Sequence, residues 1–241
     1  MSLLFEEIDS QSSPLGEISL RRRRIPAFGD RDIYEVKLGE EFLMSSMFVE
    51  AEEALATLGL AAVEGDQLEV VVGGLGLGYT ARAVLENRNV GSLTVVEYLD
   101  AVIDWHEQGL LPLGPTLTCD PRCRFLLGDF FALVAGGSGF DAESRERRYD
   151  AILLDIDHTP DFWLAPGNAA FYEPEGLRKL AGLLRPGGVF GLWSNDRPDA
   201  AFVERLASVF AEARAEPVTF RNPLQQDREF TQSVYLARTA K

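Results

Sequence analysis

Leu68-Glu69-Val70-Val71-Val72-Gly73-Gly74-Leu75-Gly76-Leu77-Gly78 decides the fold. A short valine-rich run with no polar alternation reads as a strand buried on both faces, as in a parallel sheet. The glycines that follow let the backbone turn tightly and approach a ligand. Tyr79 to Asn87 then reads as a helix, and Ser92 to Val96 as a second strand ending at Glu97. Strand, glycine turn, helix, strand and terminal carboxylate make a nucleotide-binding βαβ unit, with the acid placed for ribose hydroxyls. The strict fingerprint G-x-G-x-x-G is absent. Gly74, Gly76 and Gly78 alternate, and only the relaxed form Gly76-x-Gly78-x-x-Ala81 fits. Alternating glycines suit a nucleoside without a pyrophosphate, such as S-adenosylmethionine or a relative, and lean toward group transfer over hydride transfer.

Outward from this unit, strands and helices alternate. Asp100 to His106 reads as helix, Arg122 to Leu127 as strand, Phe130 to Ala135 as short helix, and Gly136 to Arg148 as loop. Tyr149 to Leu154 is the next strand. Asn168 to Leu184 reads as a helix closed by Arg185-Pro186-Gly187-Gly188, Val189 to Ser194 as a strand and Ala200 to Glu212 as a helix. The last two strands are Glu216 to Phe220 and Gln232 to Ala237. Five parallel strands and a closing hairpin predict a seven-stranded, doubly wound, Rossmann-like sheet over residues 47–241. Residues 1–46 read as a small N-terminal β-element, a hairpin or three-stranded sheet. Its strands are Glu17 to Arg24, Asp32 to Leu38 and Phe42 to Ser45, with a turn at Pro26 to Asp30. Ser45 or Ser46 is placed to cap a helix running through Leu58, with Phe48, Ala51, Leu55 and Leu58 at helical spacing.

In open α/β sheets ligands bind outside the carboxyl ends of the strands. Those ends carry Gly73, Gly74, Gly76 and Gly78, then Glu97-Tyr98, Gly128-Asp129, Asp155-Ile156-Asp157-His158 and Ser194-Asn195-Asp196. Glu97 is expected to take two vicinal ribose hydroxyls, which a carboxylate accepts bidentately. Asp129 is expected to accept from an adenine amino group, with Tyr98 and Gly128 completing the nucleoside site. Asp155 follows a buried strand and faces the reacting atoms. Asp157, two residues on, need not point the same way, but close carboxylates would raise one pKa and suit general-base work. His158 reads as base, acid or a hydrogen-bonded loop residue.

The chain is long enough, at 241 residues, for one α/β domain with an accessory element. No run of eighteen apolar residues and no basic-flanked leader is present, so no membrane span or signal peptide is expected. Cys119 and Cys123 make no disulfide framework, which predicts a cytoplasmic protein. Without a second pair they read as two ordinary thiols and not as zinc ligands, and no metal is expected. A net charge of −15 argues against nucleic acid and suits cationic small molecules, although acidity also serves solubility. Arg21 to Arg24 alternate faces along a strand and read as a solvated edge or an oligomer contact.

These motifs resemble the spermidine synthases, aminopropyltransferases on the class I methyltransferase fold. The resemblance rests on Val-Val-Gly-Gly-Leu-Gly-Leu-Gly, Leu-Thr-Val-Val-Glu, Asp-Pro-Arg-Cys-Arg-Phe-Leu-Leu-Gly-Asp, Tyr-Asp-Ala-Ile-Leu-Leu-Asp, Phe-Tyr and Leu-Arg-Pro-Gly-Gly-Val-Phe, and spans nearly the whole chain. It implies that Glu97 holds the ribose, Asp129 the adenine, and that Asp155 helps deprotonate and orient an amine. The amine would attack decarboxylated S-adenosylmethionine beside its sulfonium. A homodimer through the N-terminal strands is likewise implied. The acceptor positions depart from the family. Its Gly-Gly-Gly-Asp-Gly is here Gly73-Gly74-Leu75-Gly76-Leu77, and its Asp-Ser-Ser/Thr-Asp-Pro is Asp155-Ile156-Asp157-His158-Thr159-Pro160. Its Tyr-Gln falls at Leu15-Gly16, and its Tyr-His-Glu at Ala51-Glu52-Glu53, keeping only the final glutamate. Phe162, Trp163 and Trp193 are candidates for a more apolar acceptor wall, or for core packing. Three functions follow: aminopropyl transfer to an amine, methyl transfer from S-adenosylmethionine to a small molecule, or nucleoside binding without catalysis.

Overall fold

The computed structural model describes residues 4–26, 31–141, 143–144 and 146–241. The valine run forms β5 (Leu68–Gly73), with α2 (Tyr79–Glu86) and β6 (Val90–Glu97) after it. Next come α3 (Asp100–Glu107), α4 (Gly114–Thr118), β7 (Cys123–Leu127), α5 (Phe130–Ala135) and β8 (Tyr149–Leu154). The remainder is α6 (Pro174–Ala181), β9 (Leu184–Ser194), α7 (Ala200–Ala207), β10 (Glu212–Asn222) and β11 (Arg228–Arg238). The sheet order is β10-β11-β9-β8-β5-β6-β7. β5 to β9 pair in parallel, and β11 and β10 close the sheet antiparallel. The chain leaves β5 toward β6 and β7, then returns across to β8. The winding therefore reverses between β5 and β8, where a doubly wound sheet opens a crevice.

Pleating explains the two cores. Val70 and Val72 of β5 pack with α1 (Glu50–Ala61), α2 and α3, whereas Val71 joins an aromatic-rich layer under α5, α6 and α7 that includes Phe130, Phe190 and Phe202. Burial on both faces is what the unalternated run encodes. Each fully buried valine contributes about 1.5–3 kcal/mol relative to exposure.

The N-terminal element is larger than expected. β1 (Phe5–Ser13), β2 (Gly16–Arg24), β3 (Asp32–Leu38) and β4 (Glu41–Ser45) form one antiparallel four-stranded sheet. β1, an edge strand of mostly polar residues, lacks the apolar alternation that marks a strand. Its pairing also corrects the reading of the arginine run, because β2 is interior and not an edge. Arg21 pairs with Glu7 at 3.1 Å, Arg22 with Glu6, Arg23 with Glu35 at 2.7 Å and Arg24 with Asp32 at 2.6 Å. The arginines serve cross-strand pairing within the chain. Of the expected turn at 26–30, residues 27–30 lie outside the described residues.

Three helices differ from expectation. α1 begins at Glu50, not at a serine cap. The Ser46 hydroxyl instead accepts from the Tyr34 amide at 2.9 Å, tying β3 to the chain leaving β4. The expected helix 168–184 is broken into a 3₁₀ segment, Pro166–Tyr172, and α6, because Pro174 lacks an amide proton and disfavours helix at the residue before it. α7 stops at Ala207, which lengthens the β10–β11 hairpin to eleven residues a strand, and the short α4 had no periodic signal.

Candidate active site

A cavity of about 710 Å³ opens at the carboxyl ends of β5, β6, β7 and β8. The N-terminal sheet roofs it through Leu15, Ile18, Val36 and the β4 residues Glu41 to Ser45. Of the residues expected at the site, Gly74, Gly76, Glu97, Tyr98, Gly128, Asp129, Asp155 and His158 line the cavity. Gly73, Gly78 and Asp157 do not.

The glycines have separate physical causes. Gly74 has φ +94°, and a Cβ there would lie 2.1 Å from the Asp155 carbonyl oxygen. No side chain fits where the chain leaving β8 runs beside the turn that leaves β5. Gly76, at φ +47°, faces Met44 of β4, whose methyl would meet an added Cβ at 2.3 Å. The Leu77 amide donates to the Met44 sulfur at 3.1 Å, so the roof grips the turn that the nucleoside would approach. Gly78 starts α2 at φ +92° and packs against His106 and Leu117, away from the cavity.

Glu97 is 8% exposed, and both its oxygens are engaged. Oε2 accepts from the Leu75 amide and Oε1 from the Leu99 amide, each at 2.9 Å. Burial raises its pKa, against the pull of four backbone amides. The carboxylate therefore fixes the glycine turn to the end of β6 and retains lone pairs for a ligand. Asp129 accepts from the Ala132 amide at 3.1 Å and caps α5. Tyr98 stands half-exposed beside Glu97 at the cavity.

Asp155 closes β8. Its amide donates to the Gly73 carbonyl at 2.8 Å, and its Oδ2 accepts from the Thr80 hydroxyl at 2.7 Å. Burial raises its pKa, with the Thr80 hydrogen bond pulling the other way. The charge facing it is Glu52, in the first turn of α1, which comparison with Tyr-His-Glu did not retain. Burial and then the Asp155 charge raise the Glu52 pKa in turn. The retained Glu53 faces outward to Arg82. Glu52 and Thr80 were missed because each lies in the first turn of a helix, away from the strand ends that carry the expected acids.

Asp157, a catalytic candidate that need not point the same way as Asp155, turns away from it. It is 1% exposed and accepts from the Leu164 amide at 2.8 Å, the Asn168 side chain at 2.9 Å and the Tyr172 hydroxyl at 2.8 Å. It anchors the loop after β8, and the carboxylate opposite Asp155 is Glu52. His158 lines the cavity with Nε2 2.9 Å from Glu41 Oε1 and its ring stacked on Phe162 at 5.0 Å. Phe162 and Trp193 line the cavity as well, whereas Trp163 donates to the Pro160 carbonyl at 2.7 Å and packs into the aromatic core.

No family model matches the chain. It is 30% identical over 171 residues to a polyamine aminopropyltransferase of Prochlorococcus marinus, covering 68% of this chain and 55% of that one. It is 28% identical over 137 residues to putrescine N-methyltransferase 2 of Nicotiana attenuata, covering 57% and 33%. A solved spermidine synthase in complex with the transition-state analogue AdoDATO superposes with a TM-score of 0.74 at 18% identity, over 97% of this chain and 74% of that one. The chain is spermidine synthase-like. This spermidine synthase-like chain has the class I methyltransferase fold, roofed by its four-stranded sheet, and spans about a third to just over half the length of the two curated relatives. No helix among the described residues is long and apolar enough to cross a membrane.

Proposed function

We propose that this protein transfers an aminopropyl group from decarboxylated S-adenosylmethionine to a primary amine of a polyamine-like acceptor. One observation carries the reading. Six carboxylates line the cavity (Glu41, Glu52, Glu97, Asp129, Asp155 and Asp196), and no lysine or arginine does among the described residues. Such a field favours a sulfonium and an ammonium, and offers the carboxylate of intact S-adenosylmethionine no counter-charge. The names of the relatives, a polyamine aminopropyltransferase and a putrescine N-methyltransferase, point to the same acceptor class.

The residues divide the work accordingly. Glu97 and Asp129 are assigned the ribose and the adenine, as the geometry at β6 and β7 permits. Asp155 is assigned the acceptor nitrogen. Only a neutral amine is nucleophilic, so its ammonium proton must leave before or during attack. The nitrogen lone pair forms a bond to the carbon beside the sulfonium. The carbon–sulfur bond breaks with its electron pair staying on sulfur, which becomes the neutral thioether of 5′-methylthioadenosine. Asp155 accepts the proton, and its raised pKa suits it to do so near neutral pH.

Asp155→Asn should abolish turnover while changing affinity for 5′-methylthioadenosine by less than about tenfold. An equally active variant removes Asp155 from the chemistry. Calorimetry on the wild type separates the donors. Tighter binding of decarboxylated S-adenosylmethionine supports aminopropyl transfer, whereas tighter binding of the carboxylated form replaces it with methyl transfer.

A further inference from the structure

Five of the six cavity carboxylates have a partner or face open solvent. Glu97 takes two amides, Asp129 caps α5, Asp155 takes Thr80, Glu41 meets His158, and Asp196 is exposed. Glu52 differs. Its Oε2 is shut off from solvent and has no hydrogen-bond partner. The groups around it do not compensate its charge. Glu50 and Glu53 lie on its own helix and Asp155 faces it from β8. Arg82 of α2 is turned to Glu53 and Glu86. From β9 and β11 the cavity presents Trp193 and Gln232, both uncharged, and the Trp193 Nε1 is a second buried polar atom without a partner. A buried carboxylate oxygen left unpaired costs free energy that a ligand donor would recover. Burial raises the pKa of both Glu52 and Asp155, and the Asp155 charge raises that of Glu52 further, so a proton on either acid relieves the pair.

We infer that Glu52 and Asp155 form a proton-sharing clamp for a primary ammonium group, which displaces the shared proton when it binds. The inference rests on the aminopropyl-transfer reading for the chemistry of the ligand, and it makes Glu52 a residue that selects amine over carboxylate at this end of the cavity. The ammonium comes from the tail of decarboxylated S-adenosylmethionine or from the acceptor. In either case its three N–H donors meet the free Glu52 oxygen and the Asp155 carboxylate, and both acids ionise. One proton leaves the site for solvent for each ammonium bound.

Titration calorimetry near pH 7, in two buffers of different ionisation heat, counts that proton. 5′-Methylthioadenosine, which has no amine tail, should release none. Close to one proton should be released by decarboxylated S-adenosylmethionine or by putrescine added to the 5′-methylthioadenosine complex, and the titrant that releases it identifies the source. Glu52→Gln should abolish the release and weaken that titrant at least tenfold, with 5′-methylthioadenosine unchanged. No release from the wild type with either titrant, or a Glu52→Gln variant that keeps both release and affinity, overturns the clamp. A wild type that releases the proton but transfers no aminopropyl group would retain the clamp and reject the function. Stability of the free protein gives an independent reading. Both pKa values are raised by folding, so the folded chain holds protons that the unfolded chain has shed. The stability this contributes is complete below the ordinary carboxylate range and is lost as pH rises through the folded values. Glu52→Gln should flatten that decline, and a decline as steep as the wild type's counts against the shared proton.

Discussion

The proposed nucleoside end of the cavity and its proposed acceptor end are built from different materials. At the nucleoside end the glycine turn, Glu97 and Asp129 are fixed by backbone: amides of Leu75, Leu99 and Ala132 hold the acids, and the β8 main chain fills the space beside Gly74. At the proposed acceptor end Glu41, His158, Phe162 and Trp193 come from β4, the loop after β8 and β9, and His158 meets both Glu41 and Phe162 through its side chain. Backbone geometry admits few substitutions, whereas side-chain walls can be rebuilt without moving the sheet. The difference gives a physical reason why one end tolerates fewer changes than the other.

The largest effect that could break this contrast lies at the nucleoside end. Gly74→Ala combines a left-handed backbone with a Cβ 2.1 Å from the Asp155 carbonyl, so it must part β5 from β8 or shift Asp155. A loss of about 3 kcal/mol or more in denaturant unfolding is expected, with turnover falling further than stability alone explains. A well-folded, active variant would show that the turn is not fixed by backbone. Glu97→Ala comes next. It strips two buried amides of their acceptor, and hydrogen bonds to a charged group are worth about 1.5–3 kcal/mol each. Affinity for 5′-methylthioadenosine should fall about 100-fold, and unchanged affinity would reject the ribose assignment.

The same contrast explains what the sequence made legible. Val70 to Val72 with Gly74, Gly76 and Gly78 specify strand and turn within Leu68 to Gly78, so the nucleotide-binding unit and the acids at the strand ends could be read locally. Glu52 could not. It sits 103 residues from Asp155 in the chain, in a helix whose apolar spacing says only which face is buried, and register with a divergent motif kept the neighbouring Glu53 instead. Asp157 erred in the opposite direction. A carboxylate two residues from Asp155 looks catalytic in a list of acids, but the turn after β8 sends it to Tyr172 and Asn168. β1 escaped because its partners are charges on β2, and cross-strand ion pairs leave no hydrophobic period.

The smallest prediction tests whether the two ends are separable. Phe162 is 58% exposed and stacks on His158, which reaches Glu41 in the roof, so the three join the loop after β8 to the roof at the proposed acceptor end. An aromatic contact of this kind is worth about 0.5–1.5 kcal/mol beyond its area. Phe162→Ala should therefore raise the acceptor KM by about tenfold at most, leave affinity for 5′-methylthioadenosine unchanged, and lower stability by no more than about 1.5 kcal/mol. Steady-state kinetics against acceptor, set beside nucleoside calorimetry on the same variant, reads both ends at once. Parallel losses in the two measurements would mean that the roof transmits strain through Met44 to Gly76, and the acceptor wall would then be part of the nucleoside site and not a separately variable surface.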